Sequence, residues 1–201
     1  LLRRPGKLYV LASHFHPDHF NKEVLQWREQ RPDIIYIFSK DILRHRRAQK
    51  EDAVWLKKGE EYKDETLSVR AFGSTDVGVS FLLQASGKKI FHAGDLNNWH
   101  WMDESTEAEW KGAEKNFLHE LDDLYAYTPE VDVAMFPVDP RLGKEYMRGA
   151  GQFVTKIKTH IFVPMHFTPE YAKANAFRDF AEAHGVRFVS LTHRGQKIEI
   201  E

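Results

Sequence analysis

The feature that most constrains this chain is a short polar run placed directly after an apolar strand. Segment 14–19 reads His-Phe-His-Pro-Asp-His, so three histidines and one aspartate lie within six residues. Segment 8–12 before it, Leu-Tyr-Val-Leu-Ala, has the unbroken apolar character of a buried strand, and Pro17 prevents regular structure from continuing. The pattern predicts a strand that ends in a tight loop. Imidazole and carboxylate crowded together favour a divalent metal site over the alternative of an exposed polar loop.

Composition narrows the class of protein. The 201 residues carry a net charge of −1 and no cysteine. Near-neutral charge argues against a surface for nucleic-acid backbones, and the absence of cysteine excludes disulfides and thiolate chemistry. No apolar run reaches the ~18 residues of a membrane span. We therefore expect one domain, residues 1–201, in the cytoplasm, with no membrane partner; the sequence leaves the oligomeric state open.

The order of predicted elements favours sheets covered by helices. Strands cluster early and alternate with helices later, which is typical of an α/β (α+β) fold. Strands are predicted at 8–12, 34–38, 53–56, 67–72, 79–84, 89–92, 131–136, 161–164, 186–191 and 197–200. Helices are predicted at 21–30 with Asn21 as the cap, and at 41–49, 105–127, 145–159 and 169–184.

Two further strands end in potential metal ligands. Segment 89–92 leads through Gly94 to Asp95, and segment 161–164 leads to His166. Taken alone, Asp95 is equally well explained as a turn carboxylate, and His166 as a histidine packed in the core. Because strand ends that meet at one rim of a sheet are where functional groups usually lie, we expect both residues to converge on the first loop.

These motifs, in this order, resemble the metallo-β-lactamase superfamily. The match covers most of the chain and consists of His14-x-His16-x-Asp18-His19, Gly94-Asp95 and His166. The resemblance implies a four-layer αββα sandwich with one or two divalent ions at one edge. It assigns His14 and His16 to the first metal and Asp95 to a bridging position. It assigns the second metal to Asp18, His19 and His166.

One ligand of the family pattern is missing. A third histidine usually comes from the loop that here reads Gly-Ser-Thr-Asp-Val-Gly at 73–78. Asp76 could replace it with an oxygen ligand, which would favour manganese or iron over zinc, the metal that we otherwise expect. The alternative is that this segment simply forms a turn, which would leave the first metal position weak or empty.

The segment 92–101, together with 74–78, looks closest to the branch that includes the ascorbate-6-phosphate lactonase-like hydrolases. The family's first strand pair normally precedes the histidine loop, whereas 13 residues precede His14 here. We therefore expect the first N-terminal strands of the fold to be missing from this chain or supplied elsewhere.

The resemblance implies hydrolysis by a metal-bound hydroxide. Two ions roughly 3.5–4 Å apart can hold the hydroxide and polarise the scissile group. Asp18 would orient the hydroxide or accept its proton, so no serine or cysteine nucleophile is needed. We expect a metal-dependent hydrolase of a small-molecule ester, lactone or phosphorylated metabolite. The alternatives are a nuclease or phosphodiesterase, for which the charge offers no basic surface, and a degenerate, non-catalytic metal-binding scaffold.

Three further side chains are candidates for substrate binding. Trp99 and Trp101 follow Asp95 closely and either wall the substrate pocket or pack onto the next helix. Arg141 follows a predicted strand and could meet a phosphate or carboxylate, although a surface ion pair is the slightly favoured interpretation.

Overall fold

The computed structural model describes residues 2–199, which form two β-sheets with helices on their outer sides. The first sheet has three parallel strands in the order β1 (Tyr9–Ala12), β2 (Ile35–Ser39) and β3 (Val54–Leu56). Apolar and β-branched runs form these strands, as the sequence predicts.

The second sheet has seven strands in the order β10-β9-β8-β7-β6-β5-β4. Its antiparallel half runs from β4 to β7, and its parallel half runs from β7 to β10. A tight turn with both Ser86 and Gly87 at positive φ joins β6 to β7, as a two-residue hairpin loop requires. The strands are β4 (Glu61–Lys63), β5 (Ser68–Phe72), β6 (Ser80–Ala85), β7 (Lys88–His92), β8 (Glu130–Pro137), β9 (Lys158–Met165) and β10 (Arg187–Phe188).

Five α-helices and three 3₁₀ segments complete the described chain. The α-helices are α1 (Lys40–Arg44), α2 (Glu107–Tyr127), α3 (Arg148–Lys156), α4 (Tyr171–Asn175) and α5 (Arg178–Ala183). The 3₁₀ segments are Lys22–Glu29, Lys50–Asp52 and Pro140–Glu145. None of the helices within residues 2–199 combines the length and the apolar character needed to cross a membrane.

Three apolar clusters show the order of the layers. Ile37 and Leu56 of the first sheet pack with Val69 and Phe81 of the second. On the outer side of the first sheet, Phe38 belongs to a cluster that also contains Ile42 of α1 and Leu25 of the first 3₁₀ helix. The largest cluster joins the outer face of the second sheet to α2, α3 and α5. This arrangement is the expected αββα sandwich.

The strand directions bring the candidate ligands to one edge. β7, β8 and β9 are parallel neighbours, with His92 opposite Met135 and Pro137 opposite Met165. Their carboxyl ends therefore lie side by side. The loop after β1 joins them there, since the amide of Val79 at the start of β6 donates to the carbonyl of Ser13 at 3.0 Å.

Several predicted boundaries were wrong. The helix predicted at 41–49 ends at Arg44, because Arg46 takes a left-handed conformation with φ 55°. The helix predicted at 145–159 is α3 alone, since Lys158 already belongs to β9. The predicted strand 186–191 is limited to β10, and residues 197–199 form no strand; residue 200 lies outside the described residues. The short strand β4 was not predicted.

The predicted helix 169–184 is divided into α4 and α5. At the division, the Asn175 amide group donates to the Leu191 carbonyl at 2.8 Å and accepts from the Leu191 amide at 3.1 Å. This tertiary contact is invisible to helical periodicity.

Candidate metal centre

Histidine and aspartate side chains from four loops meet at the shared edge. Their potential ligand atoms fall into two groups, in each of which all atoms lie within 4.8 Å of one another. The first group contains His14, His16, Asp76 and Asp95, and the second contains Asp18, His19 and His166. All seven metal ligands proposed from the sequence are therefore placed together.

Asp95 stands between the two groups. Its Oδ2 lies 3.4 Å from Nε2 of His14 in the first group. Its Oδ1 lies 3.1 Å from Nε2 of His19 and 3.4 Å from Nε2 of His166 in the second. Each carboxylate oxygen thus faces one group, which is the arrangement that a bridging ligand needs.

His14 has the properties of a metal ligand. Its side chain is fully buried, its Nδ1 lies 3.0 Å from Oγ of Ser13, and its Nε2 has no hydrogen-bond partner. Burial, followed by the nearby His19 and His16, lowers the pKa of His14 to about 3. The imidazole is therefore neutral at pH 7, with its Nε2 available to a cation.

Asp95 also lacks a compensating partner. Its Oδ1 is buried and makes no hydrogen bond despite the 3.1 Å contact with His19. Burial raises the pKa of Asp95, although His19 and His166 oppose that shift. A buried carboxylate without a donor is costly unless a cation balances it. The donor set therefore fits divalent ions.

The turn before Asp95 fixes its carboxylate. Gly94 adopts φ +56°, and its amide donates to Nδ1 of His92 at 3.0 Å. A Cβ at Gly94 would stand 2.9 Å from the carbonyl oxygen of Val79. Glycine is required here because the turn is left-handed and the neighbouring backbone is too close for a side chain.

Asp76 takes the place where the family pattern has a third histidine. Its Oδ2 lies 3.6 Å from Nδ1 of His16. Its amide also donates to Oγ of Ser74 at 3.4 Å. The segment therefore forms a turn and also brings the Asp76 carboxylate to the first group, so the two interpretations of this loop are compatible. Oγ1 of Thr75 anchors this loop by donating to the Asn97 carbonyl at 2.5 Å and accepting from the Asn97 amide at 3.0 Å.

A cleft of about 350 Å³ opens above these groups. Asp18 lies at its rim with a side chain that is 71% exposed, and its Oδ2 is 3.5 Å from Nε2 of His19. The lining residues are His16, Asp18, Thr75, Asp76, Asp95, Trp99, Trp101, Arg141 and His166. The volume is within the usual range for small-molecule sites.

Both tryptophans line this cleft. Their rings stack with centroids 6.3 Å apart, and the Trp99 ring meets the His166 ring edge to face at 5.4 Å. Trp99 is fixed by its indole N–H, which donates to the Asp95 carbonyl at 2.8 Å. Trp99 also lines a second cavity together with Ala108 and Gly112 near the start of α2.

Arg141 faces the cleft and is also in an ion pair. Its Nε lies 3.0 Å from both carboxylate oxygens of Asp139, and its Nη2 lies 2.6 Å from Oδ2. Asp139 is fully buried, so this is not the surface pair considered from the sequence. Oδ2 of Asp139 also lies 2.9 Å from Nδ1 of His166. Asp139 therefore contacts a candidate ligand and a candidate substrate residue together.

The sequence reasoning missed two supporting residues. Ser13 contacts Nδ1 of His14 at 3.0 Å and of His19 at 3.4 Å. Asp139 follows β8 as Asp95 follows β7 and His166 follows β9. That repetition was a usable signal for Asp139, whereas nothing in the sequence distinguishes Ser13.

Comparisons with known proteins bear on the family and the fold of this chain. A family model described as "Beta-lactamase superfamily domain" matches residues 4–167. No curated protein matches the sequence significantly. Among solved structures, a candidate metal-dependent hydrolase from Parabacteroides distasonis has a TM-score of 0.60 at 16% identity, covering 94% of this chain and 77% of that one.

Two other solved structures have similar folds. Igni18, a metallo hydrolase from Ignicoccus hospitalis, has a TM-score of 0.62 at 16% identity over 92% of this chain and 76% of its own. CmlA, a diiron β-hydroxylase from Streptomyces venezuelae, has a TM-score of 0.59 at 14% identity over 92% of this chain and 44% of its own. At these identities the likeness shows the fold alone.

Proposed function

The chain belongs to the metallo-β-lactamase superfamily, and from this premise we propose that it is a hydrolase with one or two divalent ions that acts on a small molecule. The observation that carries the proposal is the position of Asp95, whose two oxygens face separate groups of neutral or acidic ligands. Such a pair of groups is suited to a two-metal hydrolytic site.

The ions would be held by the seven residues of the two groups. When bound, they would supply Lewis acidity and lower the pKa of a coordinated water to about 7. With an oxygen donor from Asp76, the first group offers two imidazoles and two carboxylates. Zinc remains our first proposal, and manganese and iron are the alternatives that this donor set favours.

The chain itself would orient and deprotonate the attacking water. Asp18 is exposed to the cleft and close to His19, so we assign it the catalytic role of accepting a proton and orienting the nucleophile. Asp95 would fix the spacing of the two groups.

The cleft favours a small substrate over a polynucleotide. Trp99 and Trp101 form its aromatic wall, and Arg141 is the one Arg or Lys side chain among its lining residues. A nuclease would need a basic track for phosphates, whereas three aspartates line this cleft. We propose an ester, a lactone or a phosphorylated metabolite as the substrate. The lactonase-like branch remains a prediction, and a cysteine-free chain fits a cytoplasmic location.

Metal analysis combined with activity tests this proposal. Protein of verified intact mass would be stripped with a chelator and reloaded with zinc, manganese or iron, and the bound ions counted by elemental analysis. Each form would then be assayed on esters, lactones and phosphoesters. We expect one or two ions per chain and metal-dependent turnover with a pH profile rising near neutrality.

Two outcomes would contradict the proposal. Bound metal without turnover of any substrate class would favour the non-catalytic scaffold. Salt-sensitive binding and cleavage of oligonucleotides would favour the nuclease. A substitution adds a test of mechanism: Asp18→Asn should reduce kcat by roughly 10²-fold or more. The exposed Asp33→Asn is the matched control, since among residues 2–199 Asp33 pairs only with Arg31.

A further inference from the structure

Asp139 connects two parts of the cleft that the proposed function treats separately. It lies just after β8, fully buried, and accepts hydrogen bonds from the amide and Nε of Arg141, each at 3.0 Å. The same carboxylate contacts Nδ1 of His166 at 2.9 Å. Burial would raise the pKa of Asp139, but the bonds from His166 and Arg141 outweigh it and keep the carboxylate ionised.

The contact between Asp139 and His166 fixes the imidazole. With Nδ1 donating to Asp139, Nε2 is the nitrogen left to face Asp95 and a metal ion. Carboxylates that hold a ligand histidine in this way set its tautomer and its orientation. The backbone of His166 is left-handed, with φ 61°, an uncommon conformation for a non-glycine residue.

The contact between Asp139 and Arg141 fixes the guanidinium. Nε and Nη2 face Asp139, whereas Nη1 makes no hydrogen bond or ion pair with any residue between 2 and 199. The side chain remains 53% exposed and lines the cleft beside His166. A guanidinium held along one edge presents its remaining N–H groups in a fixed direction, which suits a phosphate or carboxylate.

We propose that Arg141 binds an oxyanion of the substrate, and that Asp139 is the positioning residue that aligns this recognition group with His166. The inference rests on the proposed function, because it takes the adjacent ligand groups as the hydrolytic centre. The substrate is accordingly a small molecule with a phosphate or carboxylate near the bond that is cleaved, held against the tryptophan wall.

Charge explains why this anion site needs the metal centre. Asp18, Asp76 and Asp95 line the same cleft and would repel an anion when no cations are present. The charge of Arg141 is already balanced by Asp139. Anion affinity should therefore be high in the metal-loaded protein and low after chelation.

The experiment measures binding of inorganic phosphate, sulfate and acetate by calorimetry on the metal-loaded protein. The variant Arg141→Gln should weaken binding of the preferred anion by about 10- to 100-fold, the expected range for a lost charge-assisted hydrogen bond, with metal content unchanged. Arg178→Gln is the matched control, because Arg178 is an exposed arginine whose side chain, within the described part of the chain, bonds only Ser190. Tighter phosphate or sulfate than acetate indicates a tetrahedral oxyanion, and the reverse order indicates a carboxylate.

A second variant tests the positioning role. Asp139→Asn has the same shape but places an amide against His166 and Arg141, so it should weaken both metal and anion binding, each by about 10-fold or more. If Asp139 has only a structural role, Asp139→Asn will lower the melting temperature and leave the dissociation constants of the metal and of the anion unchanged. Arg141→Lys should bind the anion more tightly than Arg141→Gln but less tightly than the wild type, because lysine keeps the positive charge but lacks the paired N–H donors of the guanidinium.

The outcomes separate this inference from the proposed function. Unchanged phosphate, sulfate and acetate binding in Arg141→Gln would overturn the anion site even if the metal-loaded enzyme hydrolyses a substrate. The same holds if the wild-type protein binds none of the three anions. If Arg141→Gln loses anion affinity but no metal gives the wild-type protein hydrolytic activity, the anion site is supported and the proposed hydrolase function is rejected.

Discussion

Nε2 of His14 and Oδ2 of Asp95 lie 3.4 Å apart at the shared edge of the sheets and form no hydrogen bond. Burial disfavours the charged form of each, lowering the pKa of His14 and raising that of Asp95. Two buried polar groups that face each other without bonding are costly to the fold. This relationship is explained if a cation lies between them, and it makes the centre testable by substitution.

Removal of His16 should abolish activity without unfolding the protein. His16 is 37% exposed, so His16→Ala removes one ligand and little packing. We expect kcat/KM to fall roughly 10³-fold, about 4 kcal/mol of transition-state stabilisation, with a melting temperature close to that of the metal-free wild type. The control is His160→Ala, an exposed histidine that pairs with Glu130. Normal turnover by His16→Ala would refute the catalytic assignment.

Replacing Asp76 with histidine should change metal preference. The substitution converts the first group to three imidazoles and one carboxylate, a softer set that favours zinc. We expect the ratio of manganese to zinc dissociation constants to increase by about tenfold, or about 1.4 kcal/mol. Competition titrations monitored by elemental analysis measure it.

The control for this change is Asp179→His on the exposed face of α5, which should leave the ratio as it is. If Asp76→His behaves like that control, Asp76 is a turn residue and not a ligand.

Gly78 should tolerate no side chain. It adopts φ +76°, and a Cβ there would lie 2.1 Å from the carbonyl oxygen of Ser13 and 2.5 Å from Cβ of His14. Gly78→Ala should therefore destabilise the protein by about 2 kcal/mol or more and displace His14. Urea unfolding and metal affinity would both report the change.

Gly112 provides the opposite expectation. It lies within α2, and a Cβ there would meet nothing within 4 Å. Gly112→Ala should stabilise the protein by roughly 0.5–1 kcal/mol. Equal effects of the two substitutions would show that the contact between the Gly78 loop and the histidine loop is not formed.

The metal-free protein should lose stability in mild acid. Burial lowers the pKa of His92 to about 4 and that of His14 to about 3. Below about pH 6.5 the unfolded chain binds protons at these positions while the folded chain does not, so the free energy of unfolding falls as the pH falls toward 4. Each residue contributes up to about 1.4 kcal/mol per pH unit.

Urea unfolding at pH 7.5, 5.5 and 4.5 in the presence of a chelator measures this slope. In His92→Asn, the side-chain oxygen can still accept from the Gly94 amide, and the slope should become shallower. His160→Asn is the exposed control. An identical slope in wild type and His92→Asn would show that His92 is not buried in its neutral form.

The convergence of the candidate ligands could be predicted from the sequence because the main candidates follow recognisable strands. The apolar runs before His14, Asp95 and His166 became β1, β7 and β9, and all three end at the same edge. The resemblance to the family supplied the expected division of these residues between two metal positions.

What could not be predicted depends on contacts between distant segments. The position of Asp139 after β8 was a usable signal, but its contact with His166 requires β8 and β9 to be parallel neighbours with Pro137 opposite Met165, and no local pattern encodes that register. The division between α4 and α5 depends on Asn175 meeting Leu191, which overrides a sequence otherwise suited to one helix.

The seven potential ligands come from positions between 14 and 166, and the chain has no cysteine. Ions bound between the two groups would therefore act as reversible cross-links, tying the end of β1 to the ends of β7 and β9 across loops of many tens of residues. Closing loops of that length restricts the denatured chain in the way that disulfides do elsewhere. Loading with metal would therefore increase the stability of the fold as well as supply the chemistry, in a sequence with no cysteine to form a disulfide.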